Sequence, residues 1–174
     1  MNEVIKNIIT RRSCKKYNPD LPVPAQLIDQ IIEAGLYAAS ANGTQCPVIL
    51  AVTDKAARDK ISALNSKYDA RKRPDPFYGA PVVLVVLVPR EYGTRVYDGS
   101  LVMGNMMLAA NSLGVGNCWI HRAKEVFDDE EGIAILRAAG MEGDYEGIAN
   151  LVLGYPEVIN TSIPARKDGR VYRI

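Results

Sequence analysis

Residues 81–88, from Pro81 to Val88, form an unbroken apolar run of valine and leucine. β-Branched residues dominate it, and no polar residue alternates with them. The spacing therefore predicts a strand covered on both faces, as in the middle of a sheet. Both faces of such a strand must be covered by other elements, so the chain is expected to be layered. The chain has 174 residues, 48% of them hydrophobic, and this is enough for one domain with a substantial core, expected to span residues 1–174.

The other elements follow from periodicity. Val4, Ile5, Ile8 and Ile9 share one face of a first helix. Pro24 suits a first helical position, and Leu27, Ile28, Ile31, Ile32 and Leu36 mark a helix over about 24–38. Residues 48–53 read as a buried strand, and Asp54 as the N-cap of a helix over 55–64. Residues 67–79, polar and basic with two prolines, read as a surface excursion. A helix starting at Asp98, Gly99 or Ser100 runs to about Leu113 and is apolar on more than one face. That pattern belongs to a core helix, or to one buried in a subunit interface as well. Cys118 to Ile120 is strand-like, and the acids at 128–131 suit a helix N-terminus whose helix ends near Gly140. Ile148 to Leu153 is a last strand. About four strands and five helices alternate irregularly, so the expectation is an α+β three-layer domain.

Charge and cysteine content exclude several classes. A net charge of +1 offers no field of one sign for nucleic acid. The start lacks the apolar core of a signal peptide, and the three cysteines form no Cys-x-x-Cys pair, so a cytoplasmic protein without a structural metal is expected. Residues 99–120 carry no formal charge, but four glycines, three asparagines and two serines interrupt them, which argues against a membrane span. Neither Gly-x-Gly-x-x-Gly after a strand nor a P-loop is present. His121 is the single histidine, which excludes a histidine-rich metal site.

Three segments carry candidate chemistry. Arg11, Arg12, Lys15 and Lys16 put four cations within six residues, with Ser13 and Cys14 between them. Arginine supplies a bidentate fork, serine a neutral donor and lysine a mobile charge, so this turn reads either as a phosphate seat or as a solvated basic turn. A second basic pair, Arg166 and Lys167, lies near the C-terminus. The loop from Ser40 to Gln45 is small and polar. It suits either a plain connector or a segment lying against a flat heteroaromatic ring. Cys118 and His121 suggest a thiol pair, but three residues apart on a strand they point to opposite faces.

Taken together, these segments resemble the nitroreductase family of FMN-dependent flavoproteins, its small bacterial and clostridial-type branch in particular. The resemblance rests on Arg11-Arg12-Ser13, on Ser40 with Gln45, on Tyr78 to Pro81 leading into the apolar strand, and on Asp98-Gly99-Ser100. It continues with Gly116 to His121, Leu153-Gly154-Tyr155 and Pro164 to Lys167, seven segments in order. It implies a nitroreductase-like α+β fold, with a mostly antiparallel sheet flanked by helices, and a homodimer with swapped tails and FMN at the subunit interface. Arg11, Arg12, Ser13, Lys15, Arg166 and Lys167 would then hold the FMN phosphate and ribityl chain. Ser40, Asn42 and Gln45 would approach the flavin from the partner subunit. Cys118, Trp119, Ile120 and His121 would pass along the isoalloxazine. NADH or NADPH would donate hydride, and a nitroaromatic, a quinone or a similar small molecule would accept electrons by a ping-pong mechanism, with no catalytic side chain. An FMN carrier without efficient turnover is the alternative from another class, and a thiol enzyme built on Cys118 is a third. The usual Gln-Pro-Trp after the loop is Gln45-Cys46-Pro47 here, and Ala39 stands where proline is common.

Overall fold

The computed structural model describes all residues from Met1 to Ile174. In chain order the elements are α1 (Glu3–Thr10), α2 (Ala25–Leu36), a single 3₁₀ turn (Ala41–Gly43), β1 (Val48–Val52), α3 (Lys55–Tyr68), β2 (Val82–Pro89), α4 (Arg95–Ser112), β3 (Gly116–Ile120), α5 (Ala123–Asp128), α6 (Glu130–Ala138) and β4 (Tyr145–Gly154). The four strands form one sheet in the order β1-β2-β4-β3, with every neighbouring pair antiparallel.

The apolar run does occupy the interior of the sheet, between β1 and β4. From Val82 to Val88 its residues are buried, and their side chains alternate between two cores. Val83, Val85 and Leu87 meet Ile61 and Leu64 of α3, Val126 and Phe127 of α5, and Leu136 of α6. Val82, Leu84 and Val86 meet Ile28 and Ile31 of α2 and Val102, Met103 and Met106 of α4. A helix layer on each face of one sheet is the three-layer arrangement that the sequence predicts. No helix is long and apolar enough to cross a membrane.

Several boundaries differ, each for a local reason. Pro24 is the N-cap of α2 and not its first helical residue. Helix α3 continues a turn past Leu64, to Tyr68, whose hydroxyl donates to Asp129 at 2.5 Å. The surface excursion at 67–79 is anchored, since Phe77 is fully buried and Asp75 accepts from Arg58, Ser62, Phe77 and Gly79. Helix α4 starts a turn early, at Arg95, and β4 begins at Tyr145, three residues before Ile148. Glu146 pairs with Arg90 and Arg95, so a charged residue is buried in β4. The acidic cluster straddles two helices: Asp128 ends α5, which the sequence reading lacks, and Asp129 caps α6 by accepting the Glu131 N–H. Asp54 caps α3 as expected, accepting the Ala57 N–H at 2.8 Å.

Candidate functional site

The basic turn is placed by the end of α1 and by the start of β3. Arg11 is the C-cap of α1, its backbone N–H bonded to the Asn7 carbonyl. Helix α1 itself hangs on α4 by polar contacts, Asn7 Nδ2 donating to the Leu108 carbonyl and Asn111 Nδ2 to Asn7 Oδ1. The chain then runs beside β3: Ser13 forms a parallel bridge with Asn117, and the Cys14 N–H donates to the Asn117 carbonyl at 2.8 Å. Gly116 makes this approach possible, because a Cβ there would lie 3.2 Å from the Cys14 side chain and 2.9 Å from the Gly154 carbonyl. Tyr17 closes the turn, donating to the Cys14 carbonyl at 2.9 Å.

Arg11, Arg12, Ser13, Lys15 and Arg166 line one polar cleft of about 460 Å³ with Ile8, Asn160 and Pro164. The two ends of the sequence thus meet. Arg12 ties them together, its Nε donating to the Ser162 carbonyl at 2.6 Å and its Nη1 to the Ile9 carbonyl at 2.8 Å. Two guanidinium nitrogens, Arg11 Nη1 and Arg12 Nη2, are buried without any partner. Unpaired buried donors are costly, so a cleft holding two of them beside a lysine and a third arginine is suited to an anion with several oxygens. Lys167 is exposed and is not among the lining residues. Asn160 and the Ser162 carbonyl are contributions that sequence reasoning missed. Both lie in an exposed tail without helix or strand, and no spacing rule marks them.

The remaining candidates divide between two places. Cys118 and Ile120 point into the sheet core. Burial pushes the Cys118 thiol up, against the opposing pull of Ser13, Lys15 and Arg11. Trp119 is half-buried on the α2/α4 face, and His121 is exposed just past the strand, its carbonyl accepting from Asn65 Nδ2 at 2.8 Å. Cys118 and His121 therefore do not form a pair. The loop carrying Ser40, Asn42 and Gln45 sits at the other end of α4, where the Ala41 N–H donates to Asp98. Asp98 and Asn111 mark the two ends, and at 1.5 Å per residue they lie about 20 Å apart along the helix. Within one chain, the loop and the basic turn do not converge.

The sequence profile of the Nitroreductase family matches residues 8–155. The chain belongs to that family. A Bacteroides fragilis nitroreductase crystallised with bound FMN superposes with a TM-score of 0.87, at 28% identity over the whole of both chains. A second FMN-bound nitroreductase, from Desulfitobacterium hafniense, gives 0.88 at 25% identity, again over both whole chains. A Methanothermobacter thermautotrophicus protein, provisionally named an NADH dehydrogenase/NAD(P)H nitroreductase, is 33% identical over 121 residues, 67% of this chain. The match spans 60% of that relative's length. The nitroreductase fold is thus shared from end to end with proteins that hold FMN. The orphaned guanidinium nitrogens in the cleft suit the phosphate of that cofactor.

Proposed function

We propose that the chain is an FMN-dependent NAD(P)H oxidoreductase acting as a homodimer, with a nitroaromatic, a quinone or a similar small molecule as acceptor. The observation that carries the reading is the cleft in which Arg11 and Arg12 present buried, unpartnered nitrogens beside Ser13, Lys15 and Arg166. Arg11, Arg12, Ser13 and Lys15 hold the phosphate, and Arg166, with Lys167 behind it, closes the seat from the tail. When bound, FMN supplies the capacity to take hydride from a nicotinamide and pass electrons on. The protein's part is to hold donor and acceptor, in turn, over one ring face, which gives ping-pong kinetics and requires no side chain as acid.

Two features support the dimer. Val4, Ile5 and Ile8 of α1, Tyr97 and Leu101 of α4, and Val158, Ile159 and Tyr172 of the tail are at least half exposed, a large amount of apolar surface for a single chain to leave uncovered. The separation of the Ser40 loop from the basic turn along α4 fits a site completed by two copies, the loop of one over the turn of the other. In that arrangement Ser40, Asn42 and Gln45 face the flavin from the second copy, and the β3 backbone from Cys118 to His121 runs beside the ring.

The test is the visible spectrum of the purified protein, followed anaerobically as NADH or NADPH is added. A flavin spectrum that bleaches with one of them supports the oxidoreductase. A flavin spectrum resistant to both points to a carrier, and a colourless protein that takes up no added FMN refutes the reading.

A further inference from the structure

The buried carboxylate of Asp98, in the first turn of α4, does not line the basic cleft. It is 3% exposed and meets only neutral donors. Its Oδ1 accepts the Ala41 N–H at 3.1 Å, and its Oδ2 accepts the Thr94 hydroxyl at 2.7 Å with the Cys46 thiol at 3.6 Å. A buried carboxylate is expensive unless donors converge on it. Here two of the three donors belong to the segment 41–46.

That segment is also strained. Asn42 and Gln45 have φ values of 53° and 50°, in the left-handed region that side chains other than glycine disfavour. Such backbone persists only where the surroundings over-determine it. Two contacts do so: the Ser40 hydroxyl accepts the Gln45 N–H at 2.9 Å across the loop, and Asp98 grips Ala41 and Cys46 from beneath. The side chains of Asn42 and Gln45 are left exposed above this base. Cys46 falls where the sequence departs from the Gln-Pro-Trp pattern, at the position of its proline, so the thiol contact is one that the usual residue there could not make.

We infer that Asp98 is a positioning residue, which locks the segment 40–46 into the strained shape that presents Ser40, Asn42 and Gln45 to the flavin. The inference rests on the proposed assignment of that loop to the flavin. Asp98 touches neither cofactor nor substrate. It acts chiefly through the Ala41 N–H, for which one oxygen in the place of Oδ1 is enough; the Cys46 thiol contact to Oδ2 is longer and secondary.

The experiment compares Asp98→Ala with Asp98→Asn. The alanine removes every acceptor, whereas the asparagine keeps an oxygen for Ala41. Two readouts are taken on the full chain: amide hydrogen exchange at Ala41 and Gln45, with and without added FMN, and the visible circular dichroism of bound FMN. Asp98→Ala is expected to speed exchange at Ala41 by at least about tenfold and to alter the flavin dichroism. Asp98→Asn is expected to restore both. Ile61→Ala, which empties part of the core on the opposite side of the sheet, is the control for general destabilisation and leaves the flavin dichroism unchanged.

Wild-type exchange at Ala41 in Asp98→Ala overturns the inference, and so does an asparagine variant as impaired as the alanine. Faster exchange with an unaltered flavin signal overturns it too, because the loop then moves without consequence at the ring. If Asp98→Ala does not fold, Ala41→Pro removes the donor N–H while leaving Asp98 in place, and the extended Ser40 before it (φ −133°, ψ 155°) accepts a following proline. That variant is expected to change the flavin dichroism in the same way, and an unchanged signal refutes the role. A wild-type protein that takes up no FMN refutes the functional reading separately, and the exchange comparison still decides the anchoring.

Discussion

Replacing Arg11 by alanine separates a cofactor contact from a structural one. The Arg11 backbone N–H caps α1, and alanine keeps that bond. One of its guanidinium nitrogens is buried with no partner, so truncation forfeits none there and releases a donor held from water. The apo-protein should therefore unfold at the wild-type temperature or slightly above it. Binding should respond in the opposite direction. A charge-assisted hydrogen bond to a phosphate oxygen contributes roughly 1.5–3 kcal/mol. At 1.4 kcal/mol per decade, that weakens the FMN dissociation constant by about 10- to 150-fold. The assay is quenching of FMN fluorescence on titration with apo-protein, alongside a thermal melt of the same samples. Arg12 is a poorer probe, because its side chain also ties the tail to the turn through Ser162. Unchanged FMN affinity in a folded Arg11→Ala protein would refute the placement of the phosphate.

Four further outcomes are expected. Gly132→Ala should cost about 3 kcal/mol or more of stability in urea denaturation, the upper end of overpacking; its Cβ would lie 1.8 Å from the Val126 carbonyl, and a loss under about 1 kcal/mol would contradict the α5–α6 packing. Asp69, hydrogen-bonded by the Arg73 guanidinium and the Arg71 N–H, is held down to about 2. A lowered folded value stabilises fully above the ordinary carboxylate value of about 3.9 and loses that contribution as pH falls to about 2, so Asp69→Asn should flatten the urea midpoint against pH in that window. Cys118→Ala should leave NAD(P)H-dependent flavin reduction largely intact, whereas lost reduction with retained flavin would revive the thiol reading. Truncation after Pro156 removes Asn160, Ser162 and Arg166 and should abolish FMN retention on gel filtration, while a shortened chain that stays yellow would remove the tail from the site.

What was legible in the sequence was what local pattern dictates. The run at 81–88 is apolar without alternation, and only an interior strand satisfies it. Arg11, Arg12 and Lys15 lie within five residues of one another, so their meeting in one cleft needs no long-range knowledge, whereas Lys16 turns away to pair with Glu157 at 2.8 Å. Elements that depend on distant partners were illegible. Glu146 belongs to β4 because Arg90 and Arg95 neutralise it from more than 50 residues away. Residues 147 and 123 approach so closely that a Cβ on Gly147 would lie 2.3 Å from the Ala123 carbonyl, a demand that a lone glycine in a sequence does not disclose. Helix α5 has only six residues, too few for a periodic signal. At the site, Asn160 enters the cleft because Arg12 holds the tail across a separation of 150 residues, and Asp98 read as a helix start and not as the anchor of a loop.

The position of β4 has a consequence for biosynthesis. The sheet order β1-β2-β4-β3 puts the last strand made between two strands made earlier. While the chain is still on the ribosome, β2 has one neighbour, and its apolar residues lack the partner that will cover their free edge. That edge combines high β-propensity with no charge, the composition that recruits other chains. Neither core can close until β4, which contributes Val152 to one and Ala149, Leu151 and Leu153 to the other, has emerged, so folding is dominated by contacts distant in sequence. A ribosome stalled before residue 145 would therefore carry an open half-sheet with a hydrophobic edge, the form of this protein most in need of a chaperone.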